Sequence, residues 1–202
     1  MQLQGIADQI EHEARVVQGE ATKDREYSSL HTFPDEAAAK EAFARSTEKL
    51  LYVTEWSALS SFTADFSLYD PAGRAKPAGP VETGDFIRIE LPGPMPENWV
   101  RVVHKVVQDK LVEFTVQPSA DPGEDKPDKI DHFFSQSARS TFRVALSGTT
   151  ISAFEIGENE GINNQGPQAG ARAIVNTLMA ETGWLFYQKI QWKLLTDYLV
   201  HL

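Results

Sequence analysis

The 202-residue chain has no cysteine. That excludes a disulfide framework, a thiolate zinc site, an iron–sulfur cluster and a cysteine nucleophile. Positive charge is also scarce, with 19 Lys and Arg against 29 Asp and Glu and a net charge of −10. A surplus of acid gives neither the basic footprint of sequence-independent nucleic-acid binding nor a polybasic membrane anchor. No apolar run approaches the ~18–20 residues of a membrane-spanning helix. The stretch from Met1 to Val17 holds Asp8, Glu11 and Glu13 among few apolar residues. It does not read as a signal peptide, and a cytoplasmic location is the expectation. There is no Walker loop, Gly-x-Gly-x-x-Gly, Gly-x-Ser-x-Gly or His-Glu-x-x-His. The histidines (His12, His31, His104, His132, His201) offer no close ligand pair, and Asp121 to Asp125 lacks the spacing of a calcium loop. No metal or cofactor is expected.

What is present is an ordinary globular balance, 41% hydrophobic and 24% charged. Leu3, Ile6, Ile10, Ala14 and Val17 recur at helical spacing, so residues 1–19 read as an amphipathic helix. Residues 26–33 read as a short strand. Pro34-Asp35-Glu36 then opens a helix that Ala37, Ala38, Ala39, Ala42 and Phe43 carry to about Leu51. From Phe62 the period falls to two, and Phe62, Ala64, Phe66 and Leu68 alternate with polar residues. Further strands are expected at 85–91, 99–107, 111–117, 140–146 and 150–156. Gln108-Asp109-Lys110 and Ser147-Gly148 supply hairpin turns. A long helix is expected from about Gln168 to Leu202. The order predicts an α+β fold: a curved antiparallel sheet of six to seven strands covered by a long C-terminal helix. Residues 1–25 would be a helical extension and 26–202 a single α+β domain.

Strand faces nominate residues. Val100, Val102, His104 and Val106 share one face of the fourth strand, which is apolar except for His104. Facing the core, His104 is either a hydrogen-bonded core histidine or a polar anchor inside an apolar cavity. His132 stands where an acidic loop returns to the sheet, beside Asp131, and Arg143 lies opposite Phe142, Val144 and Leu146. These two read either as a loop cap and a surface ion pair or as parts of a polar site. The amide-rich loop Asn159 to Gln165 reads as turn chemistry or as a ligand-binding rim. The terminal helix is apolar on two sides. Ala171, Ile174, Val175, Leu178, Met179, Leu185 and Phe186 lie on one, and Ala180, Trp184, Tyr187, Leu194, Leu195 and Tyr198 on the other. The second stripe needs a partner, either the N-terminal helix or a second copy of the chain as a homodimer.

This order of elements resembles the START-like (SRPBCC, helix-grip) superfamily. There a first strand, a helical excursion and six antiparallel strands curve around a long C-terminal helix. The likeness spans residues 26–202 and is architectural; Gly84-Asp85 leading into a strand is similar to members of that superfamily. A cystatin-like cone is the alternative fold. The resemblance implies a cavity between sheet and helix that takes an apolar small molecule or lipid. Its lining would include His104, Phe66, Leu68, Ile87, Ile89, Phe114, Phe142, Val144, Leu178 and Trp184. Two other roles stay open: an interaction module dimerising through its terminal helix, and a cavity enzyme using His104 or His132 as acid and base.

Overall fold

The computed structural model describes residues 20–60, 64–93, 95–124, 129–164 and 184–202, with 12, 15, 16 and 18 among the earlier residues. The expected N-terminal helix and the expected helix start near Gln168 lie largely outside the described residues. The described order is β1 (Lys23–Thr32), α1 (Glu36–Leu51), a 3-10 turn (Val53–Ala58), β2 (Asp65–Tyr69), β3 (Phe86–Glu90), β4 (Asn98–Gln108), β5 (Leu111–Pro118), β6 (Arg139–Ser147), β7 (Thr150–Glu160) and α2 (Trp184–Leu199). The strands form one antiparallel sheet in the order β1-β7-β6-β5-β4-β3-β2. Strands β2 to β7 are a meander. The excursion through α1 lets β1 pair with the far edge of β7, so the first and last strands lie side by side.

The alternation seen in the sequence sets the inner face. Val112, Phe114 and Val116 of β5, and Phe142, Val144 and Leu146 of β6, are buried in register with one another. Both helices cover that face. α1 starts at Asp35, whose carboxylate accepts from the Ala38 amide at 2.8 Å. It buries Ala39, Ala42, Phe43, Ser46 and Leu50, one stripe at helical spacing. α2 inserts Leu195 and Leu199, each fully buried, into the same core. The Ser46 hydroxyl donates to the Leu199 carbonyl at 2.6 Å and ties the helices together. β1 presents polar side chains inward, and α2 answers in kind. Ser29 bonds Thr196 at 2.8 Å, and His31 Nδ1 bonds the Val200 carbonyl at 2.9 Å.

The architecture is the helix-grip α+β arrangement. Two expectations are corrected. The segment 150–156 extends to Glu160, and the fourth strand does not keep one parity. Val102 stands opposite Val116 but His104 opposite Thr115, so Val103 is the extra residue of a β-bulge. Beyond it Lys105 and Val107 take the side of Phe114 and Val112, and His104 turns outward, exposed.

Phe114 is fully buried, with its ring 6.0 Å from Trp56 and 5.3 Å from Phe142. Phe114→Ala is expected to cost about 3–5 kcal/mol, read as a lower urea midpoint with an unchanged slope. A loss under about 1 kcal/mol would place the ring outside the core that supports the sheet.

Candidate functional site

A cavity lies between the open end of the sheet and α2. Its volume is about 50 Å³. Its apolar wall includes Phe66, Ile87, Ile89, Val100, Val116 and Phe142 from the strands, with Trp56 and Trp192 closing it. Trp56 is placed by its indole N–H, which donates to the Lys49 carbonyl at 2.8 Å. Its ring stands 5.1 Å from Phe142, and Phe142 stands 5.3 Å from Trp192. The polar part of the wall is Asn98, His132, Ser140, Gln188 and Gln191. The cavity exists because α2 changes character along its length. Leu195 and Leu199 fill the core at one end, while Gln188 and Gln191 occupy the equivalent inward positions at the other.

His132 is fixed by its own loop. The Phe134 amide donates to Nδ1 at 2.9 Å, so the proton of the neutral ring sits on Nε2. Asn163, itself buried, donates to the Ile130 and His132 carbonyls at 3.0 and 3.1 Å and holds that loop against the sheet. Part of the amide-rich segment 159–165 therefore acts as structural staple. Arg143 pairs with Glu113 across the outer face at 2.5 Å, a cross-strand ion pair away from the cavity.

Of the residues nominated from the sequence, Phe66, Ile87, Ile89 and Phe142 reach the cavity wall. Phe114, Leu68 and Val144 are buried in the packed core around it. His104 is corrected: the bulge at Val103 puts it on the opposite face of the sheet, where it neither lines the cavity nor anchors a ligand in it. Leu178 and the side chain of Trp184 lie outside the described residues. Leu195 is buried in the core, so it is no dimer contact; among the described side chains of α2 the exposed large apolar ones are Ile190 and Leu194.

The sequence reading passed over a second feature. Glu155 sits on the inner face of β7 in line with Ile151 and Ala153, opposite Phe142 and Tyr27, and is 1% exposed. Four residues on, Asn159 takes φ 54° and turns Glu160 back over the strand. The Glu160 carboxylate lies over Gly157, where a Cβ would stand 2.6 Å from Oε1. A side chain there would have to displace that carboxylate. Arg25 Nε stands 3.4 Å from Glu160 Oε2, and Gln188 Nε2 donates to Oε1 at 3.4 Å. Burial, reinforced by the Glu160 charge, pushes the Glu155 carboxyl well above the ordinary carboxylate range, against the opposing Ser140 hydroxyl and Arg25. Burial likewise raises Glu160 to about 7, with Arg25, Gln188 and Lys23 opposing and Asp24 adding. The alternation of β7 gave a signal for Glu155, an acid at an inward position. Nothing local signalled Glu160, whose direction depends on one left-handed residue.

Among the described residues no group of three or more His, Asp or Glu side chains could hold a metal ion. No helix among them is long and apolar enough to cross a membrane.

No family model matches the chain, and no curated protein matches it. Solved structures do. A hypothetical protein from Helicobacter pylori is 10% identical with a TM-score of 0.50, over 85% of this chain and 92% of that one. A norcoclaurine synthase point mutant from Thalictrum flavum, in complex with a transition-state analogue, is 10% identical with a TM-score of 0.44, over 90% and 97%. Major latex-like protein 151 from Panax ginseng is 10% identical with a TM-score of 0.39, over 83% and 95%. The Helicobacter pylori protein supports the fold alone. The other two, at their lower scores, add no argument about ligand or activity.

Two outcomes follow. His104→Ala changes stability by no more than about 0.5 kcal/mol, because the ring is on the exposed face; a loss above 2 kcal/mol in chemical denaturation would restore it to the core. The raised carboxyls set a pH slope. Their folded values exceed the unfolded value of 4.5 for Glu160, so this contribution is fully present below the ordinary carboxyl range and is lost as pH rises through about 7. For Glu160 alone the loss is roughly 3 kcal/mol. Denaturation midpoints are expected to fall from pH 5 to pH 8, and the double variant Glu155→Gln, Glu160→Gln to flatten that fall.

Proposed function

We propose that the chain binds a compact, largely apolar small molecule in the cavity between the sheet and α2. The observation that carries this reading is the cavity itself, an aromatic and aliphatic wall with a few polar groups in it. Such a wall supplies binding energy through apolar burial, and the polar groups fix orientation. The small volume favours a compact molecule over a large lipid. Two buried polar atoms support the reading further. Among the described residues Gln188 Oε1 and Trp192 Nε1 have no hydrogen-bond partner, and both residues line the cavity. A ligand that meets them removes a cost of about 1–3 kcal/mol each.

The test uses the full chain and ethylbenzene as a simple apolar probe. A probe held at 100 times its dissociation constant is expected to stabilise the fold by ~2.7 kcal/mol in thermal denaturation. Emission from Trp56 and Trp192 should change as the probe titrates. Val116→Phe, which places a ring in the cavity, is expected to weaken binding at least about tenfold while the fold stays intact. Absence of any stabilisation or emission change in the wild type would sink the reading. So would undiminished binding in the filled variant.

A further inference from the structure

The chain just past α2 is fastened to α1 by side chains that do not line the cavity. Lys49 of α1 sends its Nζ to the Tyr198 carbonyl at 2.7 Å and to His201 Nδ1 at 2.9 Å. It also stands 4.2 Å from the centre of the Tyr198 ring. A carbonyl, a ring nitrogen and an aromatic face are the surroundings of an ammonium. On the other side of the imidazole, His201 Nε2 lies 3.0 Å from the Ala42 carbonyl and 3.1 Å from Ser46 Oγ. The Ser46 hydroxyl gives its proton to the Leu199 carbonyl at 2.6 Å, so towards His201 it accepts.

One protonation state satisfies all of these bonds. A carbonyl only accepts, so Nε2 carries the hydrogen; an ammonium only donates, so Nδ1 carries none. The geometry therefore holds His201 as a neutral imidazole. A second proton would go on Nδ1, 2.9 Å from the lysine nitrogen, setting donor against donor and cation against cation. The other charges that bear on the ring are Arg45 of α1, which pairs with Glu41, and His31 of β1. Glu48 and Glu55 share a surface pocket with Lys49, where Glu55 bonds Tyr198. Asp197, one turn back on α2, is engaged by Lys193 and Ser29. Burial comes first in holding the imidazole below the ordinary 6.5, and Lys49, Arg45 and His31 add to it against the Ala42 carbonyl. His201 also takes φ 65°, a left-handed backbone that a non-glycine residue keeps only where its surroundings hold it.

We infer that His201 is the acid-sensitive bolt of a clasp that fastens the end of α2 to α1, closed while the imidazole is neutral and open once it is protonated. Protonation removes the Lys49 bond and lets the left-handed residue relax, so His201 and Leu202 come off α1 and Lys49 is freed to solvent. The opening is local. Leu195 and Leu199 stay in the core. His31 Nδ1 donates to the Val200 carbonyl at 2.9 Å, a bond that a proton on its Nε2 leaves in place. The sign is opposite to that of the raised glutamates. The folded His201 titrates below the unfolded 6.5, so the clasp is fully closed above that value and is lost as pH falls through the folded one.

The test is a pH titration of the full chain by NMR, following each histidine ring and the backbone amides. His201 is expected to carry its hydrogen on Nε2 at neutral pH and to titrate below 6.5. Lys49→Met keeps an alkyl stem on Tyr198 and removes the facing cation. It is expected to raise the proton affinity of His201 at least about threefold. The order parameter of the His201 amide is expected to drop from about 0.85 at neutral pH to below about 0.6 one pH unit under the measured His201 midpoint. The Phe114 amide in the core should keep its order over the same range. His201→Gln, whose amide can donate to Ala42 and accept from Lys49 without titrating, should keep residue 201 ordered throughout. A wild-type midpoint at or above 6.5 overturns the inference. So does a midpoint that Lys49→Met leaves in place, or a His201 amide that stays ordered once its ring is protonated. An equal loss of order in His201→Gln assigns the opening to another group and overturns it too. Should either variant not fold, the wild-type midpoint and amide order decide the question alone.

Discussion

Everything in this molecule depends on how α2 is seated on the inner face of the sheet. That face is seven strands wide, more than one helix covers. At one end α1 and the second half of α2 share the work. Phe43, Leu50, Leu195 and Leu199 pack against Val112, Val144 and Ile151 in one continuous core. Polar latches set the register of the helix there: Ser29 to Thr196, His31 to the Val200 carbonyl and Ser46 to the Leu199 carbonyl. Each leucine buried this way contributes about 1.5–3 kcal/mol, enough to hold the helix without help from its other end. The other end is then free to be imperfectly packed, and the cavity is found there.

The sequence made the fold legible because β5 and β6 alternate cleanly. Val112, Phe114 and Val116, then Phe142, Val144 and Leu146, leave one register that buries them all, since a slip by one residue would expose the set. The failure in β4 has a physical cause. Val100, Val102, Val103, Val106 and Val107 put apolar side chains on both faces, so parity could change mid-strand at little cost. Val103 absorbs the extra residue, and everything beyond it changes sides. The His104 expectation rested on counting by two across that point. The site was harder to read than the fold for the same reason. Phe66, Ile89 and Phe142 follow from alternation, whereas Glu160 reaches the inner face only through the left-handed Asn159 and the space above Gly157.

The helix sequence hid its most informative feature in plain composition. Apolar residues of α2 draw the eye, yet Ile190 and Leu194 face outward while Gln188 and Gln191 face the sheet. Leucines at those two inward positions would close the cavity and add apolar burial to the core. Glutamines give that up and require buried partners. One amide bond is met by the Ala64 backbone N–H, which donates to Gln191 Oε1 at 3.0 Å. That bond fixes the chain just before β2 and so the edge of the cavity.

Local departures from good packing converge on one region. Within it lie two buried carboxyls, the buried Arg25 Nε, the inward-facing Gln188 and the Trp192 N–H; Arg25 Nε, Gln188 Oε1 and Trp192 Nε1 have no hydrogen-bond partner among the described residues. Elsewhere the same molecule satisfies such groups with care. Asp85 is as buried as these and accepts from Lys76 Nζ at 2.7 Å and the Glu82 amide at 2.8 Å. Asn98 accepts from the Phe133 amide at 2.8 Å. A chain that solves the problem at Asp85 and Asn98 can solve it at Glu155. Among the described residues Arg88 Nε and Ser119 Oγ are also unmet, but most such atoms gather where the cavity end of α2 meets β7 and β1.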